Sequence, residues 1–203
     1  MPALRILALG DSYTIGEGVD RADRWPERLA AALGGQASVE TVAVTGWTLA
    51  DLADGLADAD LDPPYDLVTL LIGVNDQYEG TPPDALHDAY AERLRDAVRL
   101  AGGAPERVVA VSVPDWGPTA FGAADPRGPA GIGPEIDALN DMERRAAQAA
   151  GVAWVDVTAV SREQGGWTVA DGLHPDARAY RAWAERVLPA ARRALGTPRA
   201  DGA

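Results

Sequence analysis

Apolar residues in this chain gather into short unbroken runs, and between the runs they recur at the three-to-four-residue spacing of amphipathic helices. Residues 4–9 read as a first strand that ends abruptly at Gly10. A helix is expected from Pro26, which suits a first turn, to Leu33, with Gly34 and Gly35 stopping it. Residues 38–44 predict strand 2, and Thr48 offers a cap for a helix over 49–56. Strand 3 spans 66–72, apolar throughout after Asp66, as a parallel strand covered on both faces should be.

A long amphipathic helix is predicted over 84–101, closed by Gly102 and Gly103, with strand 4 over 107–113. Residues 114–134, rich in Gly, Pro and Ala, predict a long loop on the substrate side. A helix over 135–150, strand 5 over 153–157, and an irregular stretch up to Leu173 follow. The last helix runs from Pro175 to about residue 195, and residues 197–203 read as a frayed tail. Five strands alternating with five helices predict one α/β domain over 1–203, a three-layer, doubly wound parallel sheet. Its default strand order is the flavodoxin-like 2-1-3-4-5.

Composition narrows the functional classes. The chain has 203 residues, enough for one well-buried core, and its 47% hydrophobic and 24% charged residues suit a soluble globular protein. A net charge of −13 disfavours nucleic acid and anionic membranes as partners. Without cysteine there is no disulfide, thiolate or cysteine–zinc chemistry. No apolar run reaches membrane-spanning length. Strand 1 begins at once, with no room for a signal peptide, so the expected address is cytoplasmic unless a leader has been removed.

Candidate chemistry collects where strands end. In an open parallel sheet the carboxyl ends of the strands form the ligand crevice. Asp11 and Ser12 follow strand 1, Gly46 follows strand 2, and Asn75 and Asp76 follow strand 3. Gly10 is expected to allow the sharp turn that exposes Ser12. Each piece has a plainer reading as a helix cap or a turn. Only two histidines exist, His87 and His174, and His87 reads as a solvated helix residue. Pro175 holds His174 in extended backbone, and Asp171, three residues earlier, is placed to accept from its Nδ1–H.

Gly10-Asp11-Ser12-Tyr13 resembles the first block of the GDSL, or SGNH, hydrolases. Thr45-Gly46 resembles the second block, Gly73-Val74-Asn75-Asp76 the third, and Asp171-Gly172-Leu173-His174-Pro175 the last. The resemblance covers residues 5–190 in the family's order and spacing; Tyr13 stands where the family name has leucine. It implies a flavodoxin-like SGNH fold and hydrolysis of carboxylic esters by a Ser12–His174–Asp171 triad through an acyl-enzyme. The backbone N–H groups of Ser12 and Gly46 and the amide of Asn75 would form the oxyanion hole. Asp11 and Asp76 would act as supports, with no metal and no cofactor.

The implied partner is a small-molecule ester, with short-chain acyl or acetyl esters, including those on carbohydrates, expected first. A thioesterase or lysophospholipase-type acylhydrolase on the same site is the alternative. Trp47, Trp116 and Trp167 lie near the predicted rim and are candidates to line it, whereas Trp25, Trp154 and Trp183 fit the core. A nucleotide-binding domain is disfavoured: Gly16-Glu17-Gly18 lacks a third glycine at dinucleotide spacing, and no Gly-Lys-Ser/Thr occurs. A metal-dependent phosphoesterase is disfavoured because only His174 reaches the rim. A non-catalytic binding module on the same fold is disfavoured by the intact Ser12, Asn75, Asp171 and His174.

Overall fold

The computed structural model describes residues 4–34 and 36–196, so Gly35 and the 197–203 tail lie outside the described residues. Strand β1 (Leu4–Gly10) leads through the four-residue helix α1 (Ser12–Ile15) to α2 (Trp25–Leu33). Strand β2 (Ala37–Ala43), helix α3 (Leu49–Asp58) and strand β3 (Leu67–Leu71) follow. Helices α4 (Val74–Tyr78) and α5 (Pro83–Leu100) precede β4 (Val108–Val111). Then come α6 (Ala120–Ala124), α7 (Gly128–Ala149), β5 (Ala153–Val155), α8 (Thr158–Glu163) and α9 (Ala177–Ala194).

All strand pairs are parallel, in the order β2-β1-β3-β4-β5. The expected order is therefore the observed one. Every residue of β3 and β4 is buried, because helices cover the sheet on both sides. Helix α2 packs on α9, while α5 packs on α7 and α3. Trp25 and Trp183 are fully enclosed, whereas Trp154 is half-buried against the core. His87 sits exposed on α5 beside Asp88.

Three expectations need correction. The described residues hold nine α-helices rather than five; the extra ones, α1, α4, α6 and α8, have four to six residues each, too short to show a helical period. The 114–134 segment is not one long loop, since it contains α6 and the start of α7. Helix α7 runs straight through Pro134. The apolar stripe Ile132–Ile136–Leu139 is buried at helical spacing across it, and that packing outweighs the one backbone bond a proline removes.

Gly10, finally, has no positive φ and continues β1. A Cβ there would lie 2.2 Å from Thr14 Oγ1 and 2.3 Å from the Leu71 carbonyl oxygen. Glycine is needed for close approach of β3 and α1, not for a turn angle.

Candidate active site

A cavity of about 220 Å³ opens at the carboxyl edge of the sheet. Ser12, Gly46, Asn75 and His174 line it, together with Tyr13, Thr45, Val74, Tyr78, Trp116, Phe121 and Leu173. Five chain segments far apart in sequence thus converge where strand order reverses between β1 and β3.

Ser12 is the first residue of α1, directly after the sheet. Asp11 caps that helix, its Oδ1 accepting from the Tyr13 N–H at 3.0 Å, so it braces the turn that carries Ser12. Gly46 has φ 87° and open space where a Cβ would stand, so its need for glycine is conformational. Asn75 lies in α4, which Gly73 opens at φ 117°. Its Nδ2 donates to the Trp47 carbonyl at 2.8 Å, which ties the β3 rim to the Gly46 loop. That amide has a second proton, and the tie fixes the plane in which it points.

His174 comes from a loop folded on itself by the antiparallel Thr168–Pro175 bridge and the Val169 N–H to His174 carbonyl bond. Asp171 Oδ2 stands 2.6 Å from His174 Nδ1, and its Oδ1 accepts from the backbone N–H groups of Leu173 and His174. Burial pushes the Asp171 carboxyl up, but the bonds from the His174 ring, Leu173 and the His174 backbone outweigh it and leave it below the usual range. The carboxylate is therefore ionised and oriented on the imidazole. Tyr13 packs against that ring at 5.8 Å between centroids and also meets Trp183 at 5.9 Å. Phe121 anchors the same loop from α6 by donating its backbone N–H to the Gly172 carbonyl at 3.0 Å.

Beneath the cavity lies a layer of buried carboxyls. Asp76 Oδ2 accepts from the Leu49 N–H at 3.0 Å, joining α4 to the start of α3. Burial raises its pKa, partly opposed by that bond. Burial, with repulsion from Asp76 as a lesser cause, pushes Asp11 up to about 7. Glu143 of α7 is wholly enclosed, and burial followed by repulsion from Asp11 and Asp76 raises it well above the carboxylate range. Asp11 Oδ2 and both Glu143 oxygens find no hydrogen-bond partner among the described residues. Glu143 also explains Gly73, where a Cβ would sit 2.7 Å from Oε1.

Of the rim tryptophans, only Trp116 lines the cavity. Trp47 contributes its carbonyl, but its ring packs over Gly55, where a Cβ would meet it at 2.2 Å. Trp167 sits at the base of the folded loop, whose tip carries Asp171, and its ring stacks under the Arg178 guanidinium at 5.1 Å. Both are corrections to the expected lining. Tyr13, Tyr78, Phe121 and Leu173 were not singled out as cavity residues; Tyr78, one turn beyond Asn75 in α4, carried a usable signal once α4 is a helix. No group of three or more acidic or histidine side chains among the described residues is disposed to hold a metal ion. No helix there is long and apolar enough to cross a membrane.

The chain matches the sequence model of the GDSL-like Lipase/Acylhydrolase family over residues 8–182. No curated protein matches it. Among solved structures, a carbohydrate acetylesterase family member from Sinorhizobium meliloti is 26% identical, with TM-score 0.67, covering 95% of this chain and 99% of that one. TesA is 23% identical with TM-score 0.70, covering 94% and 99%. A lipolytic G-D-S-L family member from Veillonella parvula DSM 2008 is 19% identical with TM-score 0.68, covering 92% and 97%.

Proposed function

Because the chain belongs to the GDSL-like lipase/acylhydrolase family, we propose that it is a serine esterase in which Ser12 is the nucleophile, His174 the base and Asp171 its orienting carboxylate. The observation that carries this reading is the 2.6 Å contact of Asp171 with His174 Nδ1, made by a histidine that shares one cavity with Ser12, Gly46 and Asn75.

In this reading Ser12 Oγ attacks the ester carbonyl carbon while His174 Nε2 takes its proton. Asp171 holds Nδ1–H and stabilises the imidazolium that forms. The carbonyl oxygen becomes an oxyanion, met by the Ser12 and Gly46 N–H groups and the free proton of the Asn75 amide. A neutral amide stabilises that charge without trapping it as a salt. The tetrahedral centre collapses, the C–O bond to the alcohol breaks, and His174 returns the proton to the alcohol. Water, deprotonated by the same imidazole, then hydrolyses the acyl-enzyme and restores Ser12.

The substrate is a small ester bearing a short acyl or acetyl group, including acetyl groups on carbohydrates. Sites for drug-sized ligands occupy roughly 300–1,000 Å³, and this cavity of about 220 Å³ is smaller. The similarity to a carbohydrate acetylesterase family member supports the acetyl reading. Hydrolysis of p-nitrophenyl acetate by wild type and Ser12→Ala tests the assignment. The variant is expected to lose roughly 10⁴- to 10⁶-fold in kcat; retention of most of the rate would end it.

A further inference from the structure

Tyr78 and Phe121 are large apolar side chains left exposed, at 49% and 40%, and both line the cavity that holds Ser12 and His174. They lean on Trp116, itself buried: Tyr78–Trp116 is 5.7 Å between centroids, Trp116–Phe121 6.0 Å and Tyr78–Phe121 6.3 Å. Three mutually packed rings facing a catalytic cavity are a surface kept dry for an apolar ligand group.

The rings are held from behind by a closed circuit. Arg127 places its guanidinium 5.1 Å from the Trp116 ring and 5.5 Å from the Tyr78 ring. Its Nε and Nη2 donate to Asp125 at 2.9 and 3.2 Å, and its Nη1 to Glu135 Oε2 at 3.1 Å. The same Glu135 oxygen accepts from Gln77 Nε2 at 2.6 Å, and Gln77 Oε1 accepts from Trp116 Nε1–H at 3.0 Å. Trp116 is thus fixed at its edge by Gln77 and on its face by Arg127, with Glu135 joining the two. The planar fork of arginine suits this double task better than an ammonium would.

We propose that Tyr78, Trp116 and Phe121 form the recognition wall for a short apolar group of the ester, of the size of a butanoyl chain or one aromatic ring, and that Arg127 is the positioning residue that holds the wall. This rests on the serine esterase reading. It adds which side chains choose the substrate and what keeps them in place. The cavity volume sets the upper size, and the rings favour flat groups, which they meet offset or edge-on.

The test is a pair of ester series followed by pH-stat. In one the acyl group of a methyl ester grows from acetyl to butanoyl and benzoyl; in the other the alcohol of an acetate grows from methanol to butanol and phenol. The readout is each variant's large-to-small ratio of kcat/KM relative to wild type, in which intrinsic ester reactivity cancels. Phe121→Ala and Arg127→Met are expected to lower that ratio by roughly tenfold in one series, mainly through KM. The responding series identifies which half of the ester meets the wall. Arg127→Lys, which keeps the charge without the fork, is expected to restore little.

Phe121 is exposed, so its variant tests the wall even if Arg127→Met folds poorly, and Tyr78→Ala gives a second exposed ring. Ratios unmoved in both series, or large and small esters slowed by the same factor, would overturn the wall. Ser12→Ala run alongside separates the two readings. Activity that survives it overturns the esterase itself, whereas Ser12-dependent activity with unmoved ratios overturns only the wall.

Discussion

Asn75 donates its side-chain amide to the Trp47 carbonyl at 2.8 Å, so one proton of the proposed oxyanion donor is already committed to orienting the other. Asn75→Ala removes both, and its expected cost is roughly 10²- to 10³-fold in kcat. Asn75→Asp sets an acceptor against the Trp47 carbonyl and is expected to cost at least as much. Steady-state kinetics on p-nitrophenyl acetate check this; an Asn75→Ala enzyme within a factor of three of wild type would remove the amide from the oxyanion hole.

Asp171 makes three contacts with its own loop, two of them to backbone N–H groups. Asp171→Asn can keep those two but presents an amide or a neutral oxygen to His174 Nδ1. The expected loss is about 10⁴-fold in kcat with the loop intact. Steady-state kinetics on p-nitrophenyl acetate, with circular dichroism to confirm the fold, check this; an Asp171→Asn enzyme close to wild type in kcat would remove Asp171 as the orienting carboxylate.

Asp11, Asp76 and Glu143 each hold their proton more tightly in the folded chain than in the unfolded one, Asp11 up to about pH 7. The unfolded chain releases these protons near pH 4. Their contribution to stability is therefore full below about pH 4 and is lost as pH rises towards and through the folded pKa values. Asp171, by contrast, sits below its usual value and affects stability only at lower pH. Thermal midpoints are expected to fall from pH 5 to pH 8. Glu143→Gln, similar in shape and unable to titrate, should fall less steeply, and equal slopes would argue against a buried titrating Glu143.

Gly10→Ala forces a methyl group to within 2.2–2.3 Å of Thr14 Oγ1 and the Leu71 carbonyl oxygen. Overpacking of this kind costs about 1–3 kcal/mol, and the displaced backbone is two residues from Ser12. Chemical denaturation and kcat should decline together; a fully stable, fully active variant would show that β1 and β3 can part without consequence.

What the sequence announces and what it hides divide along physical lines. Unbroken runs such as Leu67–Leu71 and long periodic stretches such as α5 carry enough residues to reveal their geometry, so the strands and long helices were legible. The strand order came from the default for doubly wound sheets and not from periodicity. Ser12, Gly46 and Asn75 drew notice because they follow strand ends, Asp171 and His174 because of Pro175 and their three-residue spacing, and the cavity is lined by Ser12, Gly46, Asn75 and His174. The short helices were not legible, and three of them carry Ser12, Asn75 and Phe121. Pro134 misled because burial of Ile132 and Ile136 overrides a local breaker. Trp167 misled because nearness in sequence to His174 says nothing about which end of a folded loop meets the cavity.

The bond from Phe121 to the Gly172 carbonyl leaves from the main chain, so it survives any side chain at position 121 except proline. The ring that helps shape the cavity and the strap that steadies the histidine loop thus occupy one residue yet are chemically separable. Saturation of that single codon, with proline omitted, would vary the proposed recognition wall while leaving the strap on the histidine loop in place.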